Sequence, residues 1–491
     1  MYESLILIVI LLPILAGGLS LAIPFKKSSH QTIALEAVII INSLLVAYLL
    51  FYQKDTIVTA IHFTGDLSIA FMIDGLGSVF ATLVATLWPF ATLYAIEYMR
   101  HEKHRNIFFA FYTATYGVTL GIAFSANLIT MYLWYEVLTL VTVPLIMHTL
   151  KREAILASRK YLYYSLGGAA FAFIGVMFFI AYGQTANFTY GGVLERFTFD
   201  EPIINSLLLV YLITFLGFGV KAAVLPVNSW LPDAGVAPTP VTALLHAVAV
   251  VKSGAFAIMR ITYYCYGATF LKETWVQTVV LLIVIATIIY GCSMALKETH
   301  IKRRLAYSTI SNLSYILFGI VIMTPLGLAG ALLHMLAHAV VKITAFFCAG
   351  SIMHQTGKTY VHELNGLGKK MPIVCGVFTV AACALMGVPF LPIFISKWNL
   401  AKAAVASENI IAYFGIVALL ISALLTAIYM MSIVARFFFP NEGDLIEVEG
   451  AKDPNWYMLV PLGAFVILMI SYGVNIQFII EYVTQVALGL K

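Results

Sequence analysis

Apolar runs of about 20 residues recur along the whole of this 491-residue chain, and each is long enough for one helical crossing of a bilayer. Inside a membrane every backbone N–H and C=O must find its partner within the protein, which leaves helices or closed barrels. A barrel needs ten-residue segments of alternating polarity, and these are absent. Composition agrees: 62% of residues are hydrophobic and 10% charged, against about 45–50% and about 25% in soluble domains. The first run starts almost at Met1, without a basic leader or a small-residue cleavage site, so it reads as a retained helix and not a signal peptide.

Fourteen spans fit the pattern, at about 4–24, 31–52, 71–98, 107–125, 127–149, 158–183, 203–235, 239–263, 274–296, 302–323, 327–353, 372–400, 408–438 and 455–484. Spans seven and twelve are too long for one straight crossing. Each has prolines in its interior, Pro226 and Pro232 in one, Pro389 and Pro392 in the other. Each is also the fourth member of a five-helix run, 107–263 and 274–438. Five is odd, so the second run starts from the opposite side to the first, which is the arithmetic of an inverted repeat. Paired interrupted segments mark transport sites in such folds; the alternative is that each proline only kinks a packed helix. The expected fold is therefore an all-α polytopic membrane protein of about 14 transmembrane helices. It contains two inverted five-helix repeats, each with a broken helix, between helices 1–3 (1–106) and helix 14 (455–491).

Loop charge tests this count. One set of alternate loops holds eighteen basic residues, among them Lys26, Lys27, Arg100, Lys160, Lys302, Arg303, Arg304, Lys369 and Arg436. The other holds six: Lys54, Arg196, Arg260, Lys272, Lys402 and Lys491. By the positive-inside rule the eighteen are cytoplasmic and both termini face outward, in a multi-pass cell-membrane protein. The net charge of +5 sits in these short loops, so it sets orientation and does not imply nucleic acid.

The remaining four basic residues, Lys221, Lys252, Lys342 and Lys397, lie inside apolar spans, as does Glu136. Each such charge costs at least about 2.5–3.5 kcal/mol on insertion scales, and the usual reason for accepting the cost is an ion or proton path. Glu136 lies near the middle of span five and Lys221 one turn before Pro226. Close together, each would keep the other charged, and a contact that opens and closes would act as a switch. A static pair fixing helix packing is the other reading. Span eight carries His246 and Lys252; span eleven carries His334, His338 and Lys342, at i, i+4 and i+8. At 100° per residue those three share one stripe about 12 Å long, which suits a proton wire with water between its members. Metal binding by His334 and His338 is geometrically possible, but no nearby acid or cysteine completes a site. Lys397 follows the second proline pair and has no evident acidic partner.

Other chemistry finds little support. The five cysteines form no C-x-x-C pair, and no nucleotide-binding glycine motif occurs, so neither cofactor nor metal is expected. Any redox step would belong to another subunit. His101-Glu102-Lys103-His104 has one residue too few for a metalloprotease motif, and reads as a solvated turn. The acidic residues Glu442, Asp444, Glu447 and Glu449 read as a solvated loop.

Several stretches resemble the antiporter-like subunits shared by respiratory complex I, Mrp-type multisubunit Na⁺/H⁺ antiporters and membrane-bound hydrogenases. They are Phe71 to Leu76, Trp134-Tyr135-Glu136, Lys221 with Ser229 to Ala234, Ala237 to Ala247, Val251 to Gly254, Lys302 to Ser311, the His334/His338/Lys342 helix and Ser396-Lys397-Trp398. The W-L-P-D-A, A-P-T-P-V and L-L-H-A block is the most specific, and the length fits shorter members such as the Mrp D-type subunit. The resemblance implies Glu136 and Lys221 as a switching pair, Lys252, His334, His338 and Lys342 as a connecting path, and Lys397 as its far terminus. It implies sister membrane subunits as partners and protons as cargo, with Na⁺ left open. Phe390 and Ile393 stand where the family usually has a proline and a glycine, which implies a stiffer second break. The chain also ends after span fourteen, without the long lateral helix of the largest complex I member. A stand-alone cation/proton transporter and a non-conducting scaffold are the competing expectations.

Overall fold

In the computed structural model, residues 2–23, 28–52, 56–65, 67–440, 451–474 and 476–491 are described. The chain begins with α1 (Tyr2–Ala22) and α2 (Ser28–Phe51), then a hairpin of β1 (Val58–Thr64) and β2 (Leu67–Phe71). Next come α3 (Gly75–Tyr98), α4 (Arg105–Ala123), α5 (Leu128–Ile146), α6 (Arg152–Tyr182) and α7 (Glu201–Gly219). The helix α8 (Thr239–Tyr266) is followed by α9 (Trp275–Lys297), α10 (Ile301–Val321) and α11 (Pro325–Thr356). Last are α12 (Pro372–Met386), α13 (Pro392–Ala406), α14 (Ile410–Phe438), α15 (Trp456–Val474) and α16 (Ile476–Ala487). Twelve helices among the described residues are long and apolar enough to cross a membrane.

The hub is α11, which packs against α3, α8, α10, α12, α13, α15 and α16. Its start is set by Thr324, whose Oγ1 accepts the Gly327 N–H at 3.1 Å, and by Pro325 in the first turn. Its end is set by Gly357 at φ 69°, the left-handed position glycine fills without a Cβ clash. Every residue from Gly327 to Ile352 is buried, and so is all of α8. These two helices touch protein on all sides. By contrast, α14 turns Leu420, Leu424 and Phe414 outward at 60% exposure or more, the face a lipid or a partner helix covers. Polar side chains can sit at mid-span in α8 and α11 because no lipid reaches them.

Both proline-rich spans are broken. In the first, α7 stops at Gly219, and residues 220–229 run without regular helix to the short turn Trp230–Asp233. The break is held close to α8: a Cβ on Gly254 would lie 2.5 Å from Ala222 N and 2.9 Å from the Lys221 carbonyl carbon. In the second, Gly387 (φ 94°) and Phe390 (φ 67°) turn the chain between α12 and α13. A bulky residue in that region is strained by roughly 1–2 kcal/mol. In α8, π-helical turns occupy Leu244–Val248 and Ile261–Tyr266; such bulges recur at functional sites.

The structure corrects some expectations. Span three does not begin at residue 71: Phe71 ends a strand and α3 starts at Gly75, capped by Asp74 Oδ1 on Gly77 N at 2.9 Å. The hairpin, not anticipated from the sequence, is sewn to the α4–α5 turn by Met72 N to Phe124 O at 2.7 Å and Ala126 N to Ala70 O at 3.0 Å. Arg260 is not a loop residue but fully buried, because Asp74 neutralises it. Lys302 and Arg304 likewise lie inside α10, at 4% and 7% exposure, with their heads on backbone carbonyls. Glu442, Asp444, Glu447, Glu449, Lys26, Lys27 and Lys54 lie outside the described residues.

Candidate functional site

Lys221 sits in the first break, two residues beyond the end of α7. Its ammonium donates to the Tyr135 carbonyl oxygen of α5 and lies 3.3 Å from the centroid of the Tyr135 ring. A carbonyl dipole and a ring face both favour a cation in an apolar setting. Glu136 is the next residue on α5 and forms no ion pair with Lys221 within 4.0 Å, although the two charges interact electrostatically. Its Oε1 is buried without a hydrogen-bond partner. The carboxylate is half-buried and flanked by Leu133, Val137 and Leu140, which are 40%, 36% and 63% exposed. The acid thus stands at the edge of an outward face.

The next group inward is Lys252, one turn beyond the first π-helical bulge. Its Nζ is hydrogen-bonded to His338 Nδ1. The His338 and His334 rings stack with centroids 5.9 Å apart, and His334 Nδ1 is 2.8 Å from Ser396 Oγ. Lys252, His338 and His334 are completely buried and Ser396 is 1% exposed. This row crosses from α8 through α11 to α13, and Ser396 is the neighbour of Lys397. The Lys397 ammonium donates to Leu385 O and Met386 O at 3.1 and 3.2 Å, the carbonyls left open where α12 ends. It also lies 5.4 Å from the Tyr315 ring centroid.

Lys342, a member of the expected path, and His246, a further candidate on span eight, sit apart from this row. Lys342 shares the stripe with the histidines, but its ammonium bonds to α10, at Leu305 O (3.1 Å) and Ser308 Oγ (2.7 Å). His246 lies in the π-helical turn beside Phe346, centroids 4.9 Å apart, and neither ring nitrogen has a partner among the described residues. Nε2 of both His334 and His338 is also buried and unpaired. A buried polar atom left unsatisfied costs about 1–3 kcal/mol. Several in one polar row are the setting that ordered water occupies.

Reading the sequence missed Glu36. It lies within α2, and its Oε2 is buried without a partner; the rule that singled out Glu136 would have found it. The Asp74–Arg260 pair was missed as well, since 186 residues separate its members. Ser396 and Tyr315 carry no charge, so the search for charged residues passed over them.

Residues 125–426 match the family profile described as NADH:quinone oxidoreductase/Mrp antiporter, transmembrane, which is well over half of the chain. The chain belongs to this antiporter-like family. Residues 61–109 also match the N-terminus of complex I chain 5. NADH-quinone oxidoreductase subunit N of Desulforudis audaxviator is 32% identical over 433 residues, covering 86% of this chain and 85% of that one. Among solved structures, a chain of the Mrp complex from Dietzia sp. superposes with a TM-score of 0.85 at 21% identity, covering 99% of this chain and 97% of that one. A chain of the membrane-bound sulfane sulfur reductase, an archaeal respiratory membrane complex, gives 0.82 at 21% identity, with 99% and 96% covered. At such identities these structures share the fold.

Proposed function

We propose that this chain is a proton-translocating subunit of a multisubunit ion-pumping membrane complex, of the Mrp antiporter, membrane-bound hydrogenase or complex I type. The observation that carries the reading is the buried contact row Lys252–His338–His334–Ser396, ending beside Lys397. Lys221 stores or releases a proton at the first break under control of Glu136, and His246 and Lys342 adjoin the row. Fourteen crossings follow if α10 and the split α12–α13 unit are each counted as one. The five-helix runs 107–263 and 274–438 then form inverted repeats, with 1–106 and 455–491 outside them. The basic loops lie in the cytoplasm and both termini outside; moving Arg260 from the outer set, and Lys302 and Arg304 from the inner one, to the interior leaves five against sixteen. No redox group is assigned to this chain, so its driving force comes from sister subunits.

Tagging this chain in its native membrane tests the reading. It should co-purify with other membrane subunits, and proteoliposomes of the whole assembly should move protons where the isolated chain does not. Full transport by the isolated chain would instead make it a stand-alone transporter.

A further inference from the structure

The face of α10 carries Ser308, Ser311, Asn312 and Tyr315, at i, i+3, i+4 and i+7, which places all four on one side of the helix. Facing it, α14 carries Ser422, Thr426 and Tyr429, at i, i+4 and i+7. All seven side chains are at most 1% exposed. Six of them form two hydrogen-bonded groups, lying end to end. Lys342 Nζ donates to Ser308 Oγ at 2.7 Å, Tyr429 OH to Ser308 Oγ at 2.7 Å, and Tyr429 OH is 3.1 Å from Thr426 Oγ1. Beyond them Tyr315 OH donates to Ser422 Oγ at 2.5 Å, and Ser311 Oγ is 2.9 Å from the same oxygen. The Tyr315 ring lies 5.1 Å from that of His334 and 5.4 Å from Lys397 Nζ.

We propose that this hydroxyl seam is a second proton lane, running from Lys342 through Ser308, Tyr429, Thr426, Ser422 and Tyr315 to the His334–Lys397 end of the row. The inference rests on the proton-translocating reading above and adds a branch to it. Lys342 lies one turn beyond His338 on α11, yet its ammonium bonds to α10; the seam gives that lysine an outlet. Tyr429 and Tyr315 donate back toward Ser308 and Ser422, so these hydroxyls turn first; each oxygen then accepts one proton and passes its own to the next oxygen. Reversal of the hydroxyls resets the line, so no charge accumulates and no other reactant is needed.

Two steps lack a direct side-chain bond: Tyr315 meets His334 and Lys397 through its ring and not its hydroxyl, and Thr426 does not bond the Ser422 hydroxyl. Thr426 Oγ1 donates to the Ser422 carbonyl at 2.7 Å, leaving its own Oγ1 and the Ser422 Oγ one helical turn apart, about 5.4 Å. The proposed lane requires one water in that gap, for which Asn312 Oδ1, buried and unpartnered among the described residues on the same α10 face, would be an acceptor. The other end of the seam is closed. Arg304 Nη1 donates to Tyr429 O at 3.1 Å and Ser432 Oγ at 2.9 Å, and a fixed guanidinium repels an excess proton. Protons in the seam are therefore directed sideways toward Lys397 and not out past Arg304.

The test is a double-mutant comparison of proton flux in proteoliposomes of the whole complex, with co-purification of the neighbouring chains as the assembly control. Tyr429→Phe and His338→Gln should each slow flux only partly, because the other lane remains. The double variant should fall at least about fivefold below the product of the two single effects, the sign of coupled routes. Flux in the double variant equal to that of His338→Gln alone would overturn the seam, as would complete loss in Tyr429→Phe alone, which would put the hydroxyls in series. Should Tyr429→Phe fail to assemble, Ser308→Ala interrupts the same lane at its first oxygen. Wild-type flux in both His338→Gln and Lys252→Gln would instead reject the proton-translocating reading itself.

Discussion

Lys221→Ala or Glu136→Ala is expected to abolish proton transport while the complex still assembles. Lys221 is 1% exposed at a break in the helix, and its ammonium bonds to the Tyr135 carbonyl and lies over the Tyr135 ring. An alanine there leaves no base to hold a proton midway through an apolar bundle. The driving force is limited: a voltage of about 150 mV is worth roughly 3.5 kcal/mol per charge. A barrier raised by even about 3 kcal/mol slows transfer more than a hundredfold. Glu136 contributes the negative charge that varies the hold on Lys221, and its half-buried position at an outward face lets that charge move. Lys221→Arg separates titration from charge. Arginine keeps the cation but does not release its proton, so this variant should assemble and still fail to transport. Proton flux and co-purification read both quantities, and near-normal flux in Lys221→Ala and Glu136→Ala would remove the pair from the mechanism.

Arg260→Ala is expected to cause the largest loss of stability. Arg260 is fully buried and forms a two-pronged bond to Asp74, Nη1 to Oδ2 at 2.5 Å and Nη2 to Oδ1 at 2.7 Å. The rings of Phe188, Phe256 and Tyr264 surround its guanidinium at 4.8, 5.0 and 4.7 Å. Asp74 also caps α3 through Gly77 N, so one carboxylate ties the start of α3 to the end of α8. Removing one partner of a buried pair leaves an uncompensated charge and costs about 3–5 kcal/mol. The thermal midpoint of the purified complex should drop sharply, and the yield with it. Arg260→Lys keeps the charge and loses the fork, so it should fall between wild type and alanine. An unchanged midpoint in Arg260→Ala would show that the clasp contributes nothing.

The features that the sequence showed clearly are those carried by local pattern. The apolar runs marked the helices, interior prolines marked both breaks, and the spacing of His334, His338 and Lys342 put them on one stripe of α11. Head-group direction was not legible. Nothing in the spacing says that Lys342 bonds to Ser308 while His338 bonds to Lys252, because that choice depends on how α8 and α10 pack against α11. The hairpin before α3 escaped notice because its strands, Val58–Thr64 and Leu67–Phe71, are short and adjoin an apolar run. Arg260 was read as a loop charge because its neutralising partner is 186 positions away. The serine and tyrosine stripe on α10 was visible as a period but carries no charge to draw attention to it.

Proton flux through the reconstituted complex carrying Lys252→Gln tests the buried row most directly, since Lys252 is the link between α8 and His338. A marked fall in flux with every neighbouring subunit still present is the expected result. Flux at the wild-type rate from the same preparation would contradict a proton path through α8 and α11.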